Sequence, residues 1–161
     1  MPEIKYKKTL NLIQLLSIIV LIAAYIIQYA LDHKPCNLCL VERVPYFSAI
    51  IIISIFLFFK KFEKICLIIL SLIFFSATLI SVYHFSIEQG FIQESFVCDL
   101  SIQNGDLSKK ALLNQLKKLP ISCKDVTFKI FGLSLATFNI LISLILSAIT
   151  TKLFLTYEKN K

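Results

Sequence analysis

LNLIQLLSIIVLIAAYIIQYAL, residues 10–31, is a run of 22 residues without a charge, and it decides the fold class. A helix of about 20 apolar residues spans a hydrocarbon core roughly 30 Å thick. The run exceeds the 7–15 residues, roughly, of a secretory signal's apolar region, and no small-x-small cleavage pattern follows it. It reads as a retained membrane helix. Three further apolar runs follow: 44–59, which reaches membrane length if its helix starts near 36, then 65–85 and 130–155. The whole chain is 57% hydrophobic and only 17% charged, against about 25% charged residues in average soluble domains. With 161 residues and a mean hydropathy of +0.79, a soluble core could not hide this surface, so lipid must solvate part of it.

The expected fold is an all-α membrane protein with one domain, 1–161. It is a four-transmembrane-helix bundle with helices at about 10–31, 36–59, 65–85 and 130–155, and an external loop at 86–129. The net charge of +7 does not point to nucleic acid, because the lysines gather at the ends of apolar runs rather than among stacking aromatics. Lys5, Lys7 and Lys8, then Lys60, Lys61 and Lys64, then Lys152, Lys159 and Lys161 all fall on one side of a four-helix arrangement. The positive-inside rule makes that side, and both termini, cytoplasmic.

Of the five cysteines, Cys36 and Cys39 then fall in the first external loop, and Cys98 and Cys123 in the second. Cys66 alone is cytoplasmic in register, where it serves as a small apolar filler. Two external pairs fit disulfides better than zinc, which needs a second close pair, whereas 24 residues separate Cys98 from Cys123. The second loop also carries a helical pattern at 109–119. Leu112, Leu113, Leu116 and Leu119 share one side, and Pro120 ends it. A short amphipathic helix of this kind lies in the membrane interface.

Cys36-Asn37-Leu38-Cys39 is the stretch that carries chemistry. Pro35 suits a helix start, which puts Cys36, Cys39 and Arg43 on one stripe at i, i+3 and i+7. Arg43 is the chain's one arginine, and a fixed cation together with a helix N-terminus stabilises a thiolate. Tyr46 and Phe47 continue the stripe, which predicts an aromatic-walled slot for a flat apolar oxidant with polar carbonyls. Pro45 leaves the Val41 carbonyl without its helical donor, so a kink is expected there. His84 either lines the same cavity or caps the interface.

Lys34-Pro-Cys-Asn-Leu-Cys-Leu-Val-Glu-Arg43 resembles the K-P-C-x-L-C-x-x-x-R signature of the disulfide bond formation protein B (DsbB) family. Tyr83-His84, Ile87-Glu88, Cys98, Cys123-Lys124-Asp125 and Phe131-Gly-Leu-Ser-Leu-Ala136 continue the resemblance over about 31–136, in the style of the family's compact branch. The resemblance implies a membrane thiol:quinone oxidoreductase in the bacterial inner membrane, with both cysteine pairs periplasmic. Its redox-active disulfides would be Cys36–Cys39 and Cys98–Cys123. A reduced, thioredoxin-like DsbA-type partner would attack Cys98, and Cys123 would pass the electrons on to Cys36. Cys39 would then face the quinone, ubiquinone or menaquinone, beside Arg43, with His84, Tyr46 and Phe47 as further quinone contacts. No metal is implied. Two alternatives stand beside it. One is a non-catalytic four-helix scaffold with two structural disulfides. The other is a relative of the vitamin K epoxide reductase group, which also couples C-x-x-C to quinones.

Overall fold

The computed structural model describes residues 2–58, 63–93, 123–124, 129–130 and 132–159. In chain order these form α1 (Pro2–Tyr29), α2 (Asn37–Val41), α3 (Val44–Phe58), α4 (Glu63–Glu88), a two-residue strand β1 (Lys129–Ile130), its partner β2 (Leu133–Ser134) and α5 (Leu135–Lys159). Among the described residues, four stretches are long and apolar enough to cross a membrane: Lys7–Tyr29, Asn37–Phe58, Lys64–Glu88 and Leu135–Tyr157. The protein is a four-helix membrane bundle. Cys98, Lys60, Lys61 and the amphipathic pattern at 109–119 lie outside the described residues.

The helices pack in sequence, α1 on α3, α3 on α4, and α4 most extensively on α5. Leu10, Ile13, Tyr46, Ile53, Leu67, Phe74 and Leu146 meet in the buried centre, and Cys66 sits among them as a small apolar filler. The opposite faces carry large exposed side chains such as Leu15, Ile22, Ile51, Leu72 and Ile145. This is the inverse of a soluble bundle, because lipid is as apolar as the core and apolar burial no longer drives helices together. Interhelical hydrogen bonds supply part of the specificity instead. Gln14 Nε2 donates to Ser54 Oγ at 2.9 Å, joining α1 to α3, and the hydroxyls of Ser71 and Thr151 lie 2.7 Å apart between α4 and α5. The Tyr46 hydroxyl donates to Asn139 Oδ1, Asn139 Nδ2 donates to Ser81 Oγ at 2.8 Å, and Ser81 Oγ donates to the Ala77 carbonyl. That chain ties α3, α5 and α4 together at the level of the site.

The structure departs from the expected boundaries in three places. The second spanning helix is not continuous from 36 to 59. It breaks at Glu42–Arg43, where the Arg43 N–H turns back to the Leu40 carbonyl at 3.2 Å in a tighter turn. The missing donor of Pro45 is the physical cause, and the expected kink is therefore a full break. The last helix begins at Leu135 rather than 130. Lys129–Ile130 instead pairs antiparallel with Leu133–Ser134, Gly132 takes a φ of +82°, and Ser134 Oγ accepts the Thr137 N–H as helix cap. The third helix runs on to Glu88, three residues past the apolar run. It closes when Gly90, at φ +76°, lets Phe91 N–H reach the Ser86 carbonyl and its own N–H reach Ile87. These bonds make a Schellman ending.

Candidate functional site

A tight return at the end of α1 brings the cysteine pair into place. Asp32 adopts a left-handed φ of +52°, which short polar side chains tolerate, and the chain doubles back to start α2. Cys36 is the residue that caps α2. Its extended backbone, φ −72° and ψ 168°, aims Sγ at the Cys39 N–H, 3.2 Å away. The helix therefore starts one residue after the thiol, and Pro35 precedes the cap.

Cys36 and Cys39 are free thiols with Sγ atoms 2.6 Å apart. Cys36 is buried, and Cys39 is partly open to the cavity. The ring of His84 comes from α4, with Nε2 3.5 Å from Cys36 Sγ and Nδ1 3.0 Å from Glu42 Oε1. Both His84 and Glu42 are buried. Hydrogen bonding from the Cys39 thiol, with the hydrogen bond and charge of His84 and the α2 backbone behind it, pulls Cys36 down from the ordinary thiol value of 9.0 to about 5, against the opposing effect of burial. Cys36 is the thiolate of the pair.

Cys36, Leu38, Ile87 and Cys123 pack as one small buried group, with Cys39 and Tyr83 against it. Cys123 is disulfide-bonded. Its placement beside Cys36 puts a bonded sulfur and a thiolate in the same pocket, the arrangement that thiol–disulfide exchange requires.

Arg43 does not continue the cysteine stripe. The break after α2 turns its guanidinium towards α1, where it donates to Gln28 Oε1 at 2.6 Å and to the Ala24 carbonyl at 3.5 Å, and lies 5.0 Å above the Tyr25 ring. His84, rather than Arg43, is therefore the basic side chain beside Cys36. Tyr46 lines the cavity, whereas Phe47 is 42% exposed and packs edge-on against Tyr25. The single aromatic wall expected from the helical stripe is divided, because the stripe assumed an unbroken helix.

The cavity, of about 370 Å³, opens between α1 and α5 at this end of the bundle. Val20, Ala24, Phe138 and Ile142 give it apolar sides, while Cys39, Arg43, His84 and Asn139 stand around its head. Apolar walls with a few convergent polar groups are the usual make-up of a small-molecule site. Glu42, Glu88, Gln28 and Asn139 are the site residues that spacing alone did not single out. A signal for the two acids was present, since ionisable groups inside an apolar span are rarely idle and Glu88 is i+4 from His84.

A membrane bundle with a paired-thiol site at one end of its helices is the class that fold and geometry define. Residues 6–153 match the family of disulfide bond formation protein DsbB, and the chain belongs to that family. It is also 35% identical over 157 residues to the uncharacterized protein RP370 of Rickettsia prowazekii (strain Madrid E), an alignment covering 95% of this chain and 90% of that one. No solved structure matches the chain. Family membership implies a membrane disulfide-generating oxidoreductase.

Proposed function

We propose that the protein is a thiol:quinone oxidoreductase of the bacterial inner membrane that reoxidises a periplasmic, thioredoxin-like disulfide donor of the DsbA type. The observation that carries this reading is the common pocket. The Cys36 thiolate, the Cys39 thiol and the bonded Cys123 are brought together at the head of an apolar-sided cavity. The reading assigns both termini to the cytoplasm and both cysteine pairs to the periplasm, in one domain spanning 1–161.

A reduced partner attacks Cys98 of a Cys98–Cys123 disulfide and forms a mixed disulfide, releasing Cys123 as a thiolate. Cys123 attacks Cys36 of the oxidised Cys36–Cys39 pair, and Cys39 leaves as a thiolate facing the cavity. The partner's second thiol resolves the mixed disulfide, so the partner departs oxidised and Cys98 is freed. Cys98 then attacks Cys123, which restores the second disulfide and returns Cys36 as a thiol beside Cys39. Closing the Cys36–Cys39 bond removes two electrons and two protons from the pair. A quinone, ubiquinone or menaquinone, supplies a two-electron, two-proton acceptor when bound.

The cavity fits such a group: its sides are apolar, and its head offers Arg43 and Asn139 as donors for carbonyl oxygens. His84 stabilises the thiolate on Cys36 and, with Glu42, offers a route for the departing protons. Arg43, held by Gln28, carries a positioned charge at the cavity edge.

The test is quinone reduction by purified protein supplied with a reduced dithiol partner. Turnover in the wild type and its loss in Cys39→Ser are expected. No quinone reduction by folded wild-type protein, or full activity in Cys39→Ser, would sink the reading.

A further inference from the structure

Beyond its two thiols, the site has the composition of a metal centre. Cys36 Sγ, Cys39 Sγ and His84 Nε2 all lie within 4.8 Å of one another. Tetrahedral zinc with Zn–S of about 2.3 Å and Zn–N of about 2.0–2.1 Å sets its sulfur and nitrogen ligands about 3.5 Å apart. The Cys36–His84 separation is 3.5 Å. The same geometry asks for about 3.8 Å between sulfurs. The pair, at 2.6 Å, must open by roughly 1 Å, and Cys39 borders the cavity that allows it.

Two further observations point to a cation. The far nitrogen of His84 is held by Glu42 at 3.0 Å, which fixes the ring as carboxylates fix metal-bound histidines. Glu88, one turn along α4, has Oε1 3.8 Å from His84 Nε2, while its Oε2 is buried with no hydrogen-bond partner among the described residues. An orphaned carboxylate oxygen one turn along α4 from His84 is an uncompensated acceptor, and a cation satisfies it.

We propose that the reduced Cys36–Cys39 pair, with His84 and Glu88, binds a thiophilic divalent cation of the Zn²⁺ class. Binding displaces the protons still carried by the two thiols and by His84 Nε2, and transfers no electrons. Both sulfur lone pairs are then engaged, so the Cys36–Cys39 bond cannot close and the site is held reduced until the metal is removed. The inference uses the thiol pair but not the quinone reading. Protein that binds metal without reducing quinone keeps the former and loses the latter, and the converse separates them equally.

The experiment uses full-length protein in detergent, reduced with a phosphine, desalted without oxygen and titrated with Co²⁺. One equivalent, with the visible bands of tetrahedral thiolate-bound cobalt that Zn²⁺ then bleaches, is expected. The same protein after oxidation should show none, and Cys66→Ala should bind as the wild type does. Glu42→Gln, which leaves all four donors in place, should weaken binding by about 10–100-fold. Glu88→Gln should weaken it by at least roughly tenfold, as removal of a charged donor. The proposal is overturned by absent bands in the reduced wild type, by bands that survive oxidation or Cys39→Ser, or by unchanged affinity in Glu88→Gln.

Discussion

Nε2 of His84 stands 3.5 Å from Sγ of Cys36, across 48 positions of sequence. The ring is braced from behind by Glu42, so a buried imidazole faces the thiol that caps α2. The family signature ends at Arg43, but a residue one helix away adds to what Cys39 does for the electrostatics of Cys36.

The reactivity of Cys36 should follow from this contact. With its value lowered from 9.0 to about 5, the thiolate persists throughout the neutral range. Its contribution to the stability of the reduced form is full above about pH 9 and is lost as pH falls through about 5. Alkylation of reduced protein, followed by mass spectrometry against pH, should show a midpoint near 5 for Cys36. In His84→Ala the midpoint should rise by about 1–3 units. An unmoved midpoint would assign the depression to Cys39 and the helix cap alone.

Arg43 lines the cavity and turns to α1 rather than to Cys36. Arg43→Gln should raise the quinone KM by about 10–100-fold, the range for losing a charge-assisted hydrogen bond, and change partner oxidation at saturating quinone far less. Arg43→Lys should not restore the KM, since an ammonium cannot bond Gln28 and lie flat over Tyr25 together. Steady-state kinetics with quinone and partner varied separately check this.

Tyr46→Phe removes the first link of the chain running through Asn139 and Ser81. A loss of about 0.6–2 kcal/mol is expected, the range for interhelical hydrogen bonds in membranes. Asn139→Leu should cost more, because it leaves the Tyr46 hydroxyl without its acceptor and Ser81 Oγ without its donor. Reversible unfolding in mixed micelles measures both.

Gly132→Ala tests the hairpin that delays the start of α5. Among the described residues, no atom beyond the chain neighbours lies within 4 Å of an added Cβ there, so the penalty expected is backbone strain at φ +82°. A loss of about 1–2 kcal/mol is expected, and Gly132→Asn should recover part of it, since Asn tolerates that region. Equal stability of all three forms by thermal unfolding would contradict the backbone account.

The spanning runs were readable because lipid imposes a simple rule: about 20 apolar residues in succession. Leu10–Leu31, 65–85 and 130–155 obey it, and 44–59 does so with a helix that starts near 36. The C-x-x-C pair was equally plain, since two thiols three apart need no tertiary information to be neighbours. The break at Glu42–Arg43 was only half legible. Pro45 announced a weakened turn, but whether a helix kinks or breaks depends on its surroundings, and here the Arg43 N–H turns back to Leu40 while its guanidinium reaches Gln28 and the Ala24 carbonyl on α1. The start of α5 was misplaced because Ile130 and Leu133 are as apolar as the helix that follows. Only the turn at Gly132 and the cap at Ser134 distinguish them.

By itself the sequence determined a four-span membrane chain with paired cysteines at the ends of its helices. Those properties depend on local hydropathy and on spacing along one segment. Tertiary structure alone decided that His84 and Glu42 attend Cys36, that Arg43 turns to α1, and that Cys123 packs beside the thiolate. Such relations join residues separated by tens of positions. They follow from how helices rotate and stack, which no single segment encodes.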